Sequence, residues 1–231
     1  MKNFVIIGGS SGIGNALALQ LASSGNNVYA TYKNTPVVET QGVRFYPYDV
    51  LADNPAPAFL PDKIDGLVYC PGSIDLKPFA RIKPEDFTAD FNLQVMGAVK
   101  IIQAALPKLR ESAQGAIVLF STVAVKMGFP FHSKVAASKG AIEGLTRALA
   151  AEFAPKIRVN CISPSITDTP LAAVLLSTNE KKEANAQRHP LKSIGKADDI
   201  ASMAAYLLSD QGKWITGQIF SVDGGMSSIK N

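Results

Sequence analysis

The chain has 231 residues, of which 47% are hydrophobic and 18% are charged, and its net charge is +4 at pH 7. That length suits one α/β domain, so we predict a single domain over residues 1–231. The positive charge is not gathered into a basic run and no apolar stretch is long enough to span a membrane, so neither nucleic-acid nor membrane partners are expected. Cys70 and Cys161 belong to no metal-binding pattern, which predicts no metal site and favours the reducing cytoplasm.

Short apolar segments predicted as strands alternate with segments of helical periodicity along the chain. The predicted strands are FVII (4–7), VYATY (28–32), VRFYPYD (43–49), DGLVYC (65–70), GAIVLF (115–120), IRVNCIS (157–163) and QIFSV (218–222). The helical patterns cover NALALQLAS (15–23), 86–110, 134–153 and 197–209. This alternation indicates a parallel sheet covered by helices on both faces. The connections 34–42 and 52–62 are short and contain proline, so we expect loops there in place of helices.

The segment GGSSGIG (8–14) follows the first predicted strand and opens the first helix. Its glycines, Gly8, Gly12 and Gly14, let the backbone turn tightly and approach a phosphate group. A helix N-terminus offers unpaired N–H groups and the positive end of the helix dipole, and Ser10 and Ser11 add hydroxyl donors. The pattern therefore predicts a phosphate-binding turn, although a glycine-rich turn without a ligand has the same spacing.

Read with the rest of the chain, this glycine spacing resembles that of the short-chain dehydrogenase/reductase family. The later segments that carry the resemblance are LVYCPG (67–72), DFNLQVMGAVKIIQAALPKL (90–109), GAIVLFSTVA (115–124), ASKGAIEGLTRALAAEFA (137–154), IRVNCISPSITDTPL (157–171) and WITGQIFSVDGGM (214–226). The resemblance implies a Rossmann-like, doubly wound parallel sheet with helices on both faces. It also implies a nicotinamide dinucleotide bound across the carboxyl ends of the strands.

The family's active site consists of asparagine, serine, tyrosine and lysine, the last two in the pattern YxxxK. The resemblance assigns the lysine to Lys139 and the asparagine to Asn92. It assigns the serine to Thr122, which keeps a hydroxyl. Val135 stands in the tyrosine position and has no proton to donate. By resemblance, Lys139 could still hold the ribose hydroxyls of the cofactor without taking part in acid–base chemistry.

Each of these residues also has a structural interpretation. Lys139 could be a solvated lysine at a helix start, Asn92 a satisfied buried amide, and Thr122 a β-branched residue at a strand end. His132, one helical turn before Val135, is a candidate for a substitute proton donor because it is the nearby group that titrates near neutral pH. A histidine in a loop before a helix is the simpler explanation. Tyr69 is a second candidate donor, although the family places that position toward the cofactor.

The end of the second predicted strand bears on cofactor choice. Members that prefer NAD usually carry an acidic residue there, whereas this chain has Tyr32 followed by Lys33. Lys33 could pair with a 2′-phosphate, so we predict a preference for NADP(H), with NAD(H) as the alternative. The other basic position of NADP-preferring members is Ser11 here. Asp49 matches the family's aspartate beside the adenine, or else caps the strand end.

The resemblance implies further cofactor contacts at Ile13, Val50, Cys70, Pro71, Gly72, Pro164, Ser165, Ile166, Thr167 and Thr169. Ser165 replaces a glycine of the family, which would matter if that turn required a positive φ. Residues 171–194 begin apolar and become charged, as suits a mobile lid over the substrate. They do not identify that small-molecule substrate.

Three functions remain compatible with the sequence. The first is an oxidoreductase acting on a carbonyl or alcohol with an unusual proton source. The second is an inactive dinucleotide-binding sensor or oligomer partner, and the third is a lyase or isomerase on the same scaffold. By resemblance alone, we expect a homo-oligomer, a dimer or tetramer, formed through the helices at 86–110 and 134–153.

Overall fold

A computed structural model describes residues 1–35, 37–52 and 57–229. Seven strands form one parallel sheet in the order β3-β2-β1-β4-β5-β6-β9. Their bounds are β1 Asn3–Ile7, β2 Asn27–Tyr32, β3 Val43–Pro47, β4 Gly66–Tyr69, β5 Gly115–Phe120, β6 Ile157–Pro164 and β9 Ile219–Val222. The strand order reverses between β1 and β4, and sheets of this kind bind ligands at the crevice formed there. The predicted Rossmann-like fold class is confirmed.

Helices cover both faces of this sheet. Their bounds are α1 Gly12–Ser23, α2 Pro84–Phe91, α3 Gly97–Arg110, α4 Val123–Met127, α5 Ser133–Phe153, α6 Asn179–Gln187 and α7 Ala197–Leu208. Helices α1 and α7 pack on one face, and α3 and α5 contribute to the apolar cluster on the other. Alternate residues of β1 point into the two clusters, so Phe4–Ile7 of this strand are apolar and buried on both sides. No helix of the described residues is long and apolar enough to cross a membrane.

The predicted elements agree with the structure to within about two residues at most ends. No helix occurs in the described parts of the connections 34–42 and 52–62; residues 36 and 53–56 lie outside the described residues. Neither helix α4 nor a second sheet was predicted. A small parallel pair, β7 Thr167–Asp168 and β8 Gly195–Lys196, joins the chain after β6 to the end of the predicted lid region 171–194.

The helix predicted over 86–110 is interrupted by a π-helical turn at Asn92–Met96. The backbone N–H of Gly97 donates to the carbonyl of Asn92 at the end of this turn. The hydroxyl of Tyr69 donates to the carbonyl oxygen of Leu93 over 2.5 Å. A Cβ added to Gly97 would overlap that hydroxyl, so the glycine is what lets the tyrosine reach the helix backbone. Tyr69 and Gly97 therefore fix the π-helical turn as a pair.

We predict that Gly97→Ala lowers the free energy of unfolding by about 1–3 kcal/mol, because the new methyl group overlaps the Tyr69 hydroxyl. In a Tyr69→Phe background the hydroxyl is gone, so the same substitution should cost at least about 1 kcal/mol less. Urea denaturation of the four proteins measures this difference. Gly140→Ala is the control, because its Cβ meets only a methyl group of Val125 at 3.9 Å, and it should be neutral or slightly stabilising. Equal costs of Gly97→Ala in both backgrounds would contradict the assignment.

Candidate active site

Two cavities meet at the carboxyl ends of the strands. The outer cleft, about 350 Å³, lies between the glycine turn at 8–14, the end of β2 and residues 48–50. The inner pocket, about 300 Å³, lies between the ends of β5 and β6, the start of α5 and part of 171–188. Both are lined by Ile13, Cys70, Gly72, Thr169 and Leu171. The cavities therefore form one groove across the edge of the sheet.

The glycine turn has the conformation that the sequence pattern requires. Gly8 and Gly12 have φ values of 77° and 52°, in the left-handed region that favours glycine. A Cβ on Gly14 would overlap the carbonyl oxygen of Gly8, so α1 could not start this close to β1 with any other residue there. The turn delivers the N-terminus of α1 to the outer cleft, where its N–H groups and dipole favour an anion. This arrangement fits a dinucleotide pyrophosphate.

Lys33 and Asp49 lie in the outer cleft and bind each other. The Lys33 ammonium group is 2.8 Å from Oδ2 of Asp49. The other carboxylate oxygen, Oδ1, accepts a hydrogen bond from the backbone N–H of Leu51. The hydrogen bond from Lys33, followed by that from Leu51, lowers the pKa of Asp49. Tyr32 lines the same cleft beside them. A phosphate group bound to Lys33 must therefore compete with Asp49 or share the lysine with it.

All the residues predicted to contact the cofactor line this groove. Those in the outer cleft are Gly8, Ser10, Ser11, Gly12, Ile13, Gly14, Tyr32, Lys33, Asp49, Val50, Cys70, Pro71, Gly72 and Thr169. Those in the inner pocket include Lys139, Pro164, Ser165, Ile166 and Thr167. The structure thus brings together residues that are up to about 160 positions apart in the sequence.

The inner pocket is mostly apolar. Among the described residues, no carboxylate and no tyrosine lines it, and its cationic or basic groups are Lys139, Arg188 and His132. Val135 is 8% exposed and lies one helical turn before Lys139 in α5, on the same face. Thr122 caps α4 by accepting the N–H of Ala124 over 3.3 Å, which leaves its hydroxyl hydrogen available to a ligand oxygen.

Lys139 reaches into the pocket beneath the end of β5. Its ammonium group donates to the carbonyl oxygen of Phe120 over 2.9 Å. Desolvation lowers the pKa of Lys139 to about 8, against the opposing effects of Cys161, Asp90 and Cys70. Burial raises the pKa of both thiols to about 12, so they are uncharged at neutral pH. Asp90 is then the group that supplies negative charge near this ammonium.

Asn92, the asparagine that the resemblance assigns to the site, is the first residue of the π-helical turn, and its role stays a prediction. Asn92 is exposed and does not line the groove, whereas Gln94 is fully buried and lines the inner pocket. The Gln94 amide nitrogen donates to Asp90 over 2.7 Å, and the hydroxyl of Ser73 donates to the other oxygen of that carboxylate. The Gln94 Oε1 atom accepts no hydrogen bond from any part of the chain that the structure describes. Gln94 is therefore the amide of this helix that faces the pocket.

The two candidate proton donors have different positions. Nδ1 of His132 is 2.7 Å from the carbonyl oxygen of Pro130, so this nitrogen carries a hydrogen and Nε2 remains for the pocket that the residue lines. Tyr69 is only 3% exposed, lines neither cavity and uses its hydroxyl on Leu93. Desolvation raises the pKa of Tyr69 far above its ordinary value. Tyr69 is therefore excluded as a donor.

His189 is a site residue that the sequence analysis missed. It is 1% exposed, with Nδ1 2.8 Å from the carbonyl oxygen of Asn185 and Nε2 2.8 Å from the hydroxyl of Ser165. The hydroxyl of Ser165 also donates to the sulfur of Met226 over 3.3 Å. Ser165 is not among the described residues with positive φ, so the turn does not require glycine. His189 instead ties the predicted lid to the chain after β6.

Comparisons with known proteins agree with this architecture. Residues 8–227 match the sequence model of a family described as enoyl-(acyl carrier protein) reductase. The chain is 31% identical over 242 residues to a tropinone reductase homolog of Arabidopsis thaliana, covering 97% of this chain and 92% of that protein. It is also 31% identical over 241 residues to the 3-oxoacyl-[acyl-carrier-protein] reductase FabG of Thermotoga maritima, covering 97% of each.

Solved structures of the same fold cover almost the whole chain. The ligand-free aldohexose dehydrogenase of Thermoplasma acidophilum superposes with a TM-score of 0.91 at 26% identity, covering 100% of this chain and 96% of that one. ElxO with NADP bound superposes with a TM-score of 0.89 at 26% identity, covering 99% of each chain. The sheet, the glycine turn and the groove thus belong to a fold that is known with a bound dinucleotide.

Proposed function

The chain belongs to the short-chain dehydrogenase/reductase family, and we propose that it is an NADP(H)-dependent oxidoreductase that interconverts a carbonyl compound and an alcohol without the family's tyrosine. The observation that carries this proposal is the continuous groove. Its outer part is an anion-binding turn at a helix start, and its inner part holds Lys139. When bound, the dinucleotide supplies or accepts a hydride.

Different residues of the groove would bind different parts of the cofactor. The backbone of the glycine turn at 8–14 and the start of α1 would bind the pyrophosphate. Lys139, whose ammonium group is fixed at one end by Phe120, would donate to the nicotinamide ribose. The loop 164–169, which His189 holds through Ser165, would form the wall on the nicotinamide side. These assignments follow the family resemblance and the positions of the residues in the groove.

The proposed preference for NADP(H) rests on charge at the end of β2. Tyr32 stands where NAD-preferring members carry an acidic residue, so the strand end itself adds no carboxylate to repel a 2′-phosphate. Lys33 is the cation within reach, and Asp49 already neutralises part of its charge. The structural similarity to ElxO, which is known with NADP bound, supports the same preference. NAD(H) is the alternative cofactor.

The inner pocket indicates the kind of substrate. Its walls are apolar, so we propose a small carbonyl compound with an apolar body. The hydroxyl of Thr122 is placed to donate to a carbonyl oxygen. Arg188 lies over the ring of Phe129 at 5.2 Å and adds a positive charge to a pocket that has no carboxylate in its described lining. An anionic group on the substrate would therefore be favoured at that end.

The proton source is the open point of this chemistry. Val135 has none to give, so either His132 or Lys139 must replace the tyrosine, or else a water molecule must. If no group replaces it, the protein would bind the dinucleotide without turnover, as a sensor or as the inactive partner in an oligomer. The two functions share the outer cleft and differ only in what happens in the inner pocket.

We also propose that the chain forms a homo-oligomer through α3 and α5. The outward side of α5 carries small exposed residues, among them Gly144, Ala148 and Ala151, which permit close packing of a second helix. Sedimentation velocity should show a dimer or tetramer, and a monomer at micromolar concentration would contradict this proposal. The two cysteines are not joined in a disulfide, which is consistent with the proposed cytoplasmic location.

We predict by calorimetry that NADPH binds more tightly than NADH. Lys33→Ala should weaken NADPH binding about tenfold, or roughly 1.4 kcal/mol, because a charge-assisted contact to the 2′-phosphate is lost. NADH binding should change by less than about threefold. Lys139→Ala should weaken both dinucleotides alike, because the ribose is common to them. Lys126→Ala, an exposed lysine of α4 that lines neither cavity, is the matched control.

Two outcomes of this titration would count against the proposal. Failure of both dinucleotides to bind would overturn the oxidoreductase function as a whole. Tighter binding of NADH, or an equal effect of Lys33→Ala on both dinucleotides, would overturn the cofactor preference alone.

A further inference from the structure

We propose that Lys139 is the acid–base catalyst of this protein, donating a proton directly to the substrate oxygen in the space that a tyrosine at position 135 would fill. This inference rests on the proposed function and names its proton source. Gln94 borders the same space with an amide oxygen that accepts no hydrogen bond from the described residues. The evidence is the geometry of the inner pocket around these three positions.

Val135 leaves the ammonium group of Lys139 accessible to a ligand in the inner pocket. Val135 and Lys139 lie one turn apart on the same face of α5, and both line the pocket. A tyrosine at position 135 would extend from this face and separate a substrate from the lysine. Valine ends at its two methyl groups, so a ligand oxygen can approach the ammonium group itself. The hydroxyl of Thr122 lines the same space and can donate to that oxygen as well.

The ammonium group of Lys139 is oriented by the groups around it. One of its three N–H bonds is used by the carbonyl of Phe120. Gln94 presents a buried amide oxygen that receives no hydrogen bond from the described residues, and its amide nitrogen is fixed by Asp90. A Cβ on Gly72 would lie 3.5 Å from this oxygen and 3.8 Å from the lysine nitrogen, so the two atoms border the same small space. Beyond the N–H bond used by Phe120, the ammonium group has two more, one for the nicotinamide ribose of the proposed function and one for the substrate oxygen.

The charged and titratable groups around Lys139 influence its pKa. The groups that face it are Asp90 of α2, Cys70 after β4 and Cys161 of β6; His132 and Arg188 line the same pocket. Desolvation lowers the pKa of Lys139 to about 8, close to the pH at which a general acid works best. Asp90 stabilises the ammonium form through space, and it also accepts the amide N–H of Gln94. A fully exposed lysine would be a much weaker acid.

In carbonyl reduction, a dinucleotide bound as in the proposed function would supply a hydride, and the electron pair of that hydride would form the new C–H bond. The N–H bond of Lys139 breaks and the O–H bond of the alcohol forms, which leaves a neutral amine. The amine regains its proton from solvent water. In alcohol oxidation the neutral amine accepts the hydroxyl proton, so that direction needs the deprotonated lysine.

His132 is the competing donor, and its position is less favourable. It lies at the N-terminal boundary of α5, its Nδ1 is committed to Pro130, and its ring packs edge-on against Phe129 at 5.4 Å. The same phenyl ring carries the Arg188 guanidinium on it at 5.2 Å. The ammonium group of Lys139, by contrast, donates to the carbonyl oxygen of Phe120 and lies near the carboxylate of Asp90.

The test combines a pH profile with a binding measurement. NADPH oxidation with phenanthrenequinone, an apolar dicarbonyl probe, should fall as the pH rises through about 8, because the ammonium form is the acid. Lys139→Arg keeps the positive charge but cannot give up its proton. Calorimetry gives the NADPH affinity of this variant, and at saturating NADPH it should reduce the quinone about 10²–10⁴-fold more slowly than the wild type. His132→Asn should keep the alkaline limb.

The outcomes separate the inference from the proposed function. A Lys139→Arg variant that reduces the quinone at the wild-type rate would overturn the role of Lys139 and leave the oxidoreductase function intact. An activity limb near pH 6.5 that disappears in His132→Asn would assign the proton to His132 instead. Loss of NADPH binding and turnover in the wild type would overturn the proposed function itself.

A second measurement needs no turnover and leaves Lys139 unaltered. With NADP-loaded protein, para-nitrophenol should enter the space beside Val135, and contact with the ammonium group should lower its pKa by about one unit or more, as read from its absorbance. Val135→Tyr fills that space and should abolish the shift. An unchanged nitrophenol spectrum, or the same shift in Val135→Tyr, would show that a ligand oxygen does not reach Lys139 and would overturn the inference.

Discussion

The rest of the site depends on the burial of the Lys139 ammonium group, which is held by the carbonyl of Phe120. Burying a charge is costly unless acceptors replace its hydration. Here the carbonyl of Phe120 accepts one N–H bond, and Asp90 supplies nearby negative charge. The remaining shift of the Lys139 pKa, to about 8, measures the desolvation that these groups leave uncompensated. The proposed catalysis uses that residual destabilisation of the charged form, since it turns a lysine into a usable acid.

The sequence was sufficient for the fold because its signals are local. Glycine spacing at 8–14 requires particular backbone conformations, and apolar runs alternating with helical periodicity predict a parallel sheet. The same periodicity distinguishes the two amides of one segment. Gln94 continues the buried stripe of Ala98 and Ile101, whereas Asn92 continues the exposed stripe of Met96 and Lys100. The family resemblance named Asn92, and the helical pattern adds Gln94 as the amide on the buried side.

Other features depend on contacts between distant segments and have no local signal. The π-helical turn at 92–96 is fixed by Tyr69, and helical periodicity passes through it unbroken. His189 is buried because it bonds to Ser165, 24 residues away, and neither residue predicts the other. The ion pair between Lys33 and Asp49 has the same origin: each side chain was assigned to the cofactor separately, and the fold binds one to the other. Val135 differs from these, since its spacing from Lys139 is visible in the sequence, but its consequence depends on the pocket around it.

The central claim is that hydride transfer continues in this groove although the tyrosine is absent. Deuterium transfer tests it most directly. The purified protein would be mixed with NADPH deuterated at the position that gives the hydride, together with apolar carbonyl compounds that fit a pocket of about 300 Å³. We predict that mass spectrometry finds one deuterium on the carbinol carbon of an alcohol product. Tight binding of NADPH with no deuterium in any product would contradict the account and identify the chain as a dinucleotide-binding protein without turnover.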